Sequence, residues 1–156
     1  MNTSRYKVLL VEDDVSAVEL ARFAVAEFHP EIDLTVVAGG DAVLDWLHGR
    51  DAQPEQLPQL ILLDLKLPKL DGLAVLRKLR IDAHTRDIPI VAFSGEYTQA
   101  DVLMSYRVGA NSFVHKPTDL EQFKEFFAER LAHWMQQHRN PLASNMPATP
   151  SLLSDA

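Results

Sequence analysis

The sequence predicts an α/β domain in which a parallel sheet carries helices on both faces. Five short apolar runs alternate along the chain with five segments whose apolar residues recur at helical spacing. This is the pattern of repeated strand–helix units. Most of the apolar runs are continuous rather than alternating, as expected for parallel strands that are buried on both sides.

The individual elements follow from the same periodicity and from the residues that interrupt it. The predicted strands are Val8–Val11, Leu34–Ala38, Leu60–Asp64, Ile88–Phe93 and Ser112–His115. The predicted helices are Asp14–Phe28, Asp41–His48, Asp71–Ile81, Thr98–Val108 and Asp119–His138. Pro30 and Gly109 end the first and fourth helices. Thr118 is the expected N-cap of the fifth helix, with Glu121 completing a capping box.

Length and composition exclude several classes of protein. The 156 residues suit one domain with some chain left over, which we place at residues 1–138, followed by a flexible Pro/Ser-rich tail over 139–156. A net charge of −7 argues against nucleic-acid binding, and the lack of cysteine excludes disulfides and thiol chemistry. The apolar run near the N-terminus, Val8–Val11, is too short for a signal peptide or a membrane span, so we expect a soluble cytoplasmic protein.

Polar side chains converge where the predicted strands end. Glu12 and Asp13 follow the first strand, Asp64 ends the third, Ser94 follows the fourth, and Lys116 follows the fifth. In an open parallel sheet, ligands bind beyond the carboxyl ends of the strands. We therefore expect these side chains to form one site.

Crowded carboxylates raise one another's pKa values unless a cation compensates them. Mg²⁺ prefers oxygen ligands, so we expect Asp13 and Asp64 to bind it directly, with Glu12 acting through water and the Lys66 carbonyl completing the shell. An aspartate can also attack phosphorus to form an acyl phosphate. Mg²⁺ and Lys116 would neutralise the charge of the transferring group.

Taken together, these residues resemble the receiver domain of two-component response regulators over residues 5–138. The residues that carry the resemblance are Glu12-Asp13, Asp64 with the following Leu65-Lys66-Leu67-Pro68, Asp71-Gly72, Ser94 and Lys116-Pro117. The resemblance implies a flavodoxin-like doubly wound (βα)5 sheet with strand order 2-1-3-4-5.

The same resemblance implies a function and a set of roles. Asp64 would accept a phosphoryl group from a sensor histidine kinase, without the chain being an enzyme. Ser94 and Lys116 would bind phosphoryl oxygens, Phe113 would be the aromatic switch residue, and the Lys116–Pro117 peptide bond would be cis. The loop around Pro54–Pro58, the run from Leu63 to Lys69 and the aromatic last helix are similar to stand-alone regulators paired with phytochromes. A phytochrome kinase is therefore an expected partner.

Two other functions fit parts of the pattern. A haloacid-dehalogenase-type phosphohydrolase would also use Mg²⁺ and an aspartate nucleophile, but its motif is Asp-x-Asp and Lys66 stands two residues after Asp64. A structural dimerisation module with a degenerate site is the other alternative.

A homodimer is expected through the face formed by the fourth helix, the fifth strand and the fifth helix. Leu131, Trp134 and Met135 lie on a helix longer than the strands, so we expect them to overhang the sheet as surplus apolar surface.

Overall fold

The computed structural model describes residues 5–48, 57–67 and 71–139 of the chain. Its strands are β1 (Tyr6–Val11), β2 (Ile32–Val37), β3 (Leu60–Asp64), β4 (Ile90–Ser94) and β5 (Ser112–His115). Its helices are α1 (Val15–Phe28), α2 (Gly40–His48), α3 (Gly72–Ile81), α4 (Gln99–Val108) and α5 (Leu120–Arg139). The strands are all parallel, in the order β2-β1-β3-β4-β5, which confirms the predicted fold class.

Two apolar layers cover the sheet. Side chains of α1 and α5 pack on one face, around Leu10, Leu62 and Phe127. Side chains of α2, α3 and α4 pack on the other face, around Leu9 and Ile61. Successive side chains along β1 and β3 point alternately into the two layers. Both faces of these strands are therefore buried, which explains why the strands are continuously apolar.

The limits of β1, β2 and β4 differ from the predicted ones. β1 begins at Tyr6 rather than Val8, because Tyr6 and Lys7 pair with the start of β2. β4 begins at Ile90 rather than Ile88, directly after Pro89, which has no N–H to donate to a ladder. Arg139 is the last residue of α5, and residues 140–156, which hold most of the predicted tail, lie outside the described ranges.

Helix α5 departs from two expectations. Its N-cap is Asp119 rather than Thr118: an Asp119 carboxylate oxygen accepts the N–H of Gln122 at 3.0 Å, since the helix starts one residue later than a Thr118 cap requires. The predicted overhang is wrong for Leu131 and Met135, which are 0% and 5% exposed. They are buried in the layer that α5 shares with α1, because α1 packs against α5.

The Lys116–Pro117 peptide bond also differs from the expectation, because it is trans. The trans isomer is the one that X–Pro bonds ordinarily favour, by about 0.5–1 kcal/mol. Within the described ranges, no helix combines the length and apolarity that a membrane span requires.

Candidate functional site

Three carboxylates meet at the carboxyl edge of the sheet. Glu12 directly follows β1, and its N–H donates to the Val37 carbonyl of β2 at 3.1 Å, which continues the ladder by one residue. Asp64 ends β3, one strand away. One oxygen from each of Glu12, Asp13 and Asp64 lies within 4.8 Å of the others. The structure therefore brings together the three predicted acidic residues.

Lys116 lies between two of these carboxylates. Its Nζ donates to Glu12 Oε1 at 2.7 Å and to Asp64 Oδ2 at 3.3 Å. The second oxygen of Glu12 accepts the backbone N–H groups of Asp13 and Asp14, both at 3.1 Å. Glu12 is 1% exposed and Asp64 is 4% exposed, so these charge-assisted bonds are screened little by solvent.

The cluster has more carboxyl groups than positively charged side chains. Burial raises the pKa of Glu12 to about 7, and the charge of Asp64 adds to this effect, although the bonds from Lys116 and from the Asp14 N–H oppose it. Burial alone would lower the pKa of Lys116, but its bonds to Glu12 and Asp64 and their charges raise it. One ammonium thus contacts two of the three carboxyl groups in the cluster.

The loop after Asp64 is held close to the site. The Lys66 N–H donates to Asp64 Oδ1 at 2.9 Å, and the Gly72 N–H at the start of α3 donates to the Leu65 carbonyl at 3.2 Å. A Cβ on Gly72 would lie 2.4 Å from the Leu65 Cα, so only glycine permits this approach. The Lys66 side chain turns outward, with Nζ 3.8 Å from Asp101 on α4. The Lys66 carbonyl as a metal ligand remains a prediction.

Ser94 ends β4, beside β3, and is fully buried. Its hydroxyl donates to the Glu96 carbonyl at 2.8 Å, and its Oγ accepts the Glu96 N–H at 3.3 Å. The hydroxyl is therefore engaged with the β4–α4 loop.

Phe113 lies on β5, buried in the layer that contains α4. The ring of Tyr97, from the β4–α4 loop, meets it edge-on with centroids 4.7 Å apart, and Tyr97 also contacts His115. The Phe113 N–H donates to the Tyr106 hydroxyl at 3.0 Å. Sequence reasoning missed Tyr97, and its place three residues after Ser94 was the only available signal.

A cavity of about 640 Å³ opens at this edge of the sheet. Its lining includes Glu12, Asp13, Asp64, Lys66 and Lys116. The donor set consists of hard oxygen ligands with excess negative charge, which fits a divalent cation such as Mg²⁺ or Mn²⁺ better than a soft metal. The space next to Asp64 can also hold a small anionic group close to Lys116.

Comparison with known proteins gives a consistent result. A family model described as the response regulator receiver domain matches residues 8–128. The probable methanogenesis regulatory protein FilR2 of Methanothrix harundinacea is 31% identical over 134 residues, which span 86% of this chain and 86% of that protein. The chain spans about half the length of several DNA-binding response regulators that it also matches.

Two solved structures of phytochrome-associated or related regulators have the same fold. The phosphorylated cyanobacterial phytochrome response regulator RcpA is 28% identical, with a TM-score of 0.75 over 84% of this chain and 94% of that one. The Mn²⁺-bound form of response regulator Rcp1, a protein of Synechocystis sp., is 27% identical, with a TM-score of 0.74 over 83% and 94%.

Proposed function

The chain belongs to the response regulator receiver family, and we propose on that basis that Asp64 is its phosphoacceptor. The observation that carries the proposal is the pairing of a buried Asp64 carboxylate with Lys116 at 3.3 Å, beside Glu12 and Asp13 in one open cavity. An Asp64 oxygen attacks the phosphorus of a kinase phosphohistidine. The new O–P bond forms as the P–N bond breaks, and the electron pair of that bond stays on the imidazole.

The chain's own residues have distinct roles in this transfer. Lys116 neutralises charge on the transferring phosphoryl oxygens, as an ammonium already placed against Asp64. Ser94 donates a hydrogen bond to another phosphoryl oxygen. Phe113 responds by packing alone, because it has no hydroxyl.

Receiver domains hold a divalent cation at an acidic pocket, and we assign Mg²⁺ to this chain. Glu12, Asp13, Asp64 and the Lys66 carbonyl would hold it, with Glu12 acting through water. The cation supplies charge neutralisation to the phosphoryl group, which the carboxylates alone would repel.

The partners follow from the same assignment. Receiver domains take their phosphoryl group from histidine kinases, and the kinase proposed here is a phytochrome, since RcpA and this chain share a fold over most of their length. We further propose a cytoplasmic homodimer that uses α4, β5 and α5. The apolar surface that supports this dimer is that of Leu103 and Met104 on α4, which are exposed. Leu131 and Met135 on α5 are buried and do not contribute to it.

Family membership favours a phosphoacceptor over the phosphohydrolase and the degenerate dimerisation module considered above. Receiver domains are typically phosphoacceptors rather than enzymes. We propose that this chain has no turnover beyond slow loss of its own phosphoryl group.

Acetyl phosphate with Mg²⁺ tests the acceptor directly. Intact-protein mass spectrometry should show one added phosphoryl group on the wild-type chain and none on Asp64→Asn. Asp41→Asn, which alters an exposed carboxylate on α2, is the matched control and should label normally. Unchanged labelling of Asp64→Asn would remove Asp64 from the mechanism.

The kinase assignment needs a separate comparison. An autophosphorylated phytochrome kinase should transfer its phosphoryl group to the chain faster than a histidine kinase without a phytochrome sensor does. Equal rates from the two kinases would contradict the pairing.

A further inference from the structure

Two aromatic rings form a wall beside the Lys116 ammonium. Its Nζ lies 5.7 Å from the centroid of the Phe93 ring, on β4, and 5.9 Å from that of the Phe123 ring, on α5. Both rings are buried, and Phe123 also lines the cavity that contains Asp64. These distances are within the range of a cation–π interaction.

The Lys116 ammonium makes fewer hydrogen bonds to the carboxylates than it has N–H donors. An ammonium group has three N–H donors, and two of them bond Glu12 and Asp64. The negative faces of aromatic rings attract a cation without offering it a competing acceptor. A cation–π contact with these rings can therefore complement the two hydrogen bonds that the ammonium already makes.

Phe93 and Phe123 differ in what they connect. Phe93 pairs with Asp64 across neighbouring strands, so its position is fixed by the sheet. Phe123 lies in the first turn of α5, where its N–H donates to the Asp119 carbonyl at 2.9 Å. The Phe123 ring thus joins the start of α5 to the ammonium at the site.

We propose that Phe123 is a positioning residue for Lys116, which it holds against Glu12 and Asp64 through the face of its ring. The inference rests on the proposed phosphoacceptor function and deepens it, because it makes the setting of α5 part of the site. A displacement of the first turn of α5 would withdraw the ring and loosen the ammonium that meets the phosphoryl group.

The competing explanation is that Phe123 only fills the core, where it also contacts Phe126 and Phe127. A substitution that keeps apolar bulk but removes the π face separates the two. Phe123→Leu and Phe123→Met do this, whereas Phe123→Tyr keeps the ring. Phe126→Leu is the matched control, since Phe126 lies in the same helix and contacts Phe123, whereas the cation–π contacts of Lys116 are with Phe93 and Phe123.

The measurement is the rate of Asp64 labelling by acetyl phosphate with Mg²⁺, together with the affinity for beryllofluoride, a phosphoryl mimic, followed by fluorine NMR. We expect Phe123→Leu and Phe123→Met to lower both by about fivefold, which corresponds to about 1 kcal/mol of lost cation–π attraction. Phe123→Tyr should restore wild-type values, and Phe126→Leu should leave them unchanged. Near-ultraviolet circular dichroism establishes that each variant is folded.

The outcomes separate the two proposals. A wild-type chain that labels on Asp64, with Phe123→Leu and Phe123→Met labelling equally well, would overturn the positioning role alone. Phe123→Tyr labelling as slowly as Phe123→Leu would also overturn the positioning role. It would show that the labelling rate depends on packing and not on the aromatic ring. Labelling that survives in Asp64→Asn would overturn the phosphoacceptor function itself.

Discussion

At the scale of single residues, Glu12 is a buried carboxyl group whose pKa lies near neutral pH. Its folded-state pKa of about 7 lies above its ordinary value of 4.5, with burial as the main cause. Between these two values the folded chain binds more protons than the unfolded chain does, so the free energy of unfolding falls as pH rises through this window. The raised pKa of Lys116 acts elsewhere, since that contribution is lost only in the alkaline range above 10.5.

Glu12→Gln should therefore flatten the dependence of stability on pH. Without divalent cations, the wild-type chain should lose on the order of 2 kcal/mol between pH 5 and pH 8. The variant should lose less over this interval, whatever its absolute stability, because residue 12 no longer ionises. Urea denaturation at several pH values in a chelator measures the slope.

Two controls accompany this experiment. Glu19→Gln changes an exposed carboxylate on α1 and should keep the wild-type slope. Added Mg²⁺ should flatten the wild-type slope, because a bound cation favours the ionised carboxylate. An unchanged slope in Glu12→Gln would show that other groups govern the titration.

At the scale of elements, Arg80 joins α3 to the start of β5 and the end of α4. Its guanidinium donates to the carbonyls of Gly109, Arg86 and Ile88 at 2.8, 3.0 and 2.7 Å, and to Asn111 Oδ1 at 2.7 Å. The side chain also packs against Gly109, whose φ of 132° favours glycine and where a Cβ would lie 2.7 Å from the Arg80 Cγ. Burial lowers the pKa of Arg80, as expected for a cation held mainly by carbonyl groups.

Removing this guanidinium should weaken the junction of three elements at once. Arg80→Met keeps the apolar stem but leaves several carbonyls without a donor, so we expect a loss of about 2–4 kcal/mol in the free energy of unfolding. Arg77→Met, on the exposed side of the same helix, should change it by less than about 0.5 kcal/mol. Equal effects of the two substitutions in urea denaturation would contradict this role.

At the scale of the whole molecule, exposed apolar side chains lie on both sides of the sheet. Leu103 and Met104 on α4 are 49% and 44% exposed, whereas Phe23 on α1, which packs on the opposite face, is 64% exposed. The proposed homodimer uses the α4 side only. The two sides therefore give matched variants for a test of association.

Leu103→Glu together with Met104→Gln should convert the proposed dimer to a monomer, because both remove apolar contact from the α4 face. Phe23→Ser, on the other side of the sheet, should leave association unchanged. Sedimentation across a concentration series provides the measurement. A wild-type chain that sediments as a single monomer throughout would exclude the dimer.

Much of this architecture could be predicted, because buried parallel strands leave a clear pattern. The ends of β3 and β5 match their predicted limits, since each apolar run stops at a polar residue. The sequence has no comparable pattern for how the helices pack against one another. The burial of Leu131 and Met135 depends on where α1 lies, and the choice of Asp119 over Thr118 depends on a difference of one residue in the helix start.

The candidate site divides in the same way. Glu12, Asp13, Asp64 and Lys116 could be placed together because all four follow or end strands that point in one direction. The aromatic contacts of Tyr97 and Phe123 could not, because they depend on the direction of side chains between a loop or helix and the sheet.

The hydroxyl of Ser94 carries a single proton, which it donates to the Glu96 carbonyl with 2.8 Å between the two oxygen atoms. Under the proposed function, a phosphoryl oxygen on Asp64 would compete with that carbonyl for this one donor. The acceptor that does not receive this hydrogen bond would need another donor, because a buried oxygen without one is destabilising. Glu96 directly precedes Tyr97 in the chain. A change in the hydrogen-bond partner of the Glu96 carbonyl would therefore act on the Tyr97 ring, which contacts Phe113 edge-on and lies three residues after Ser94.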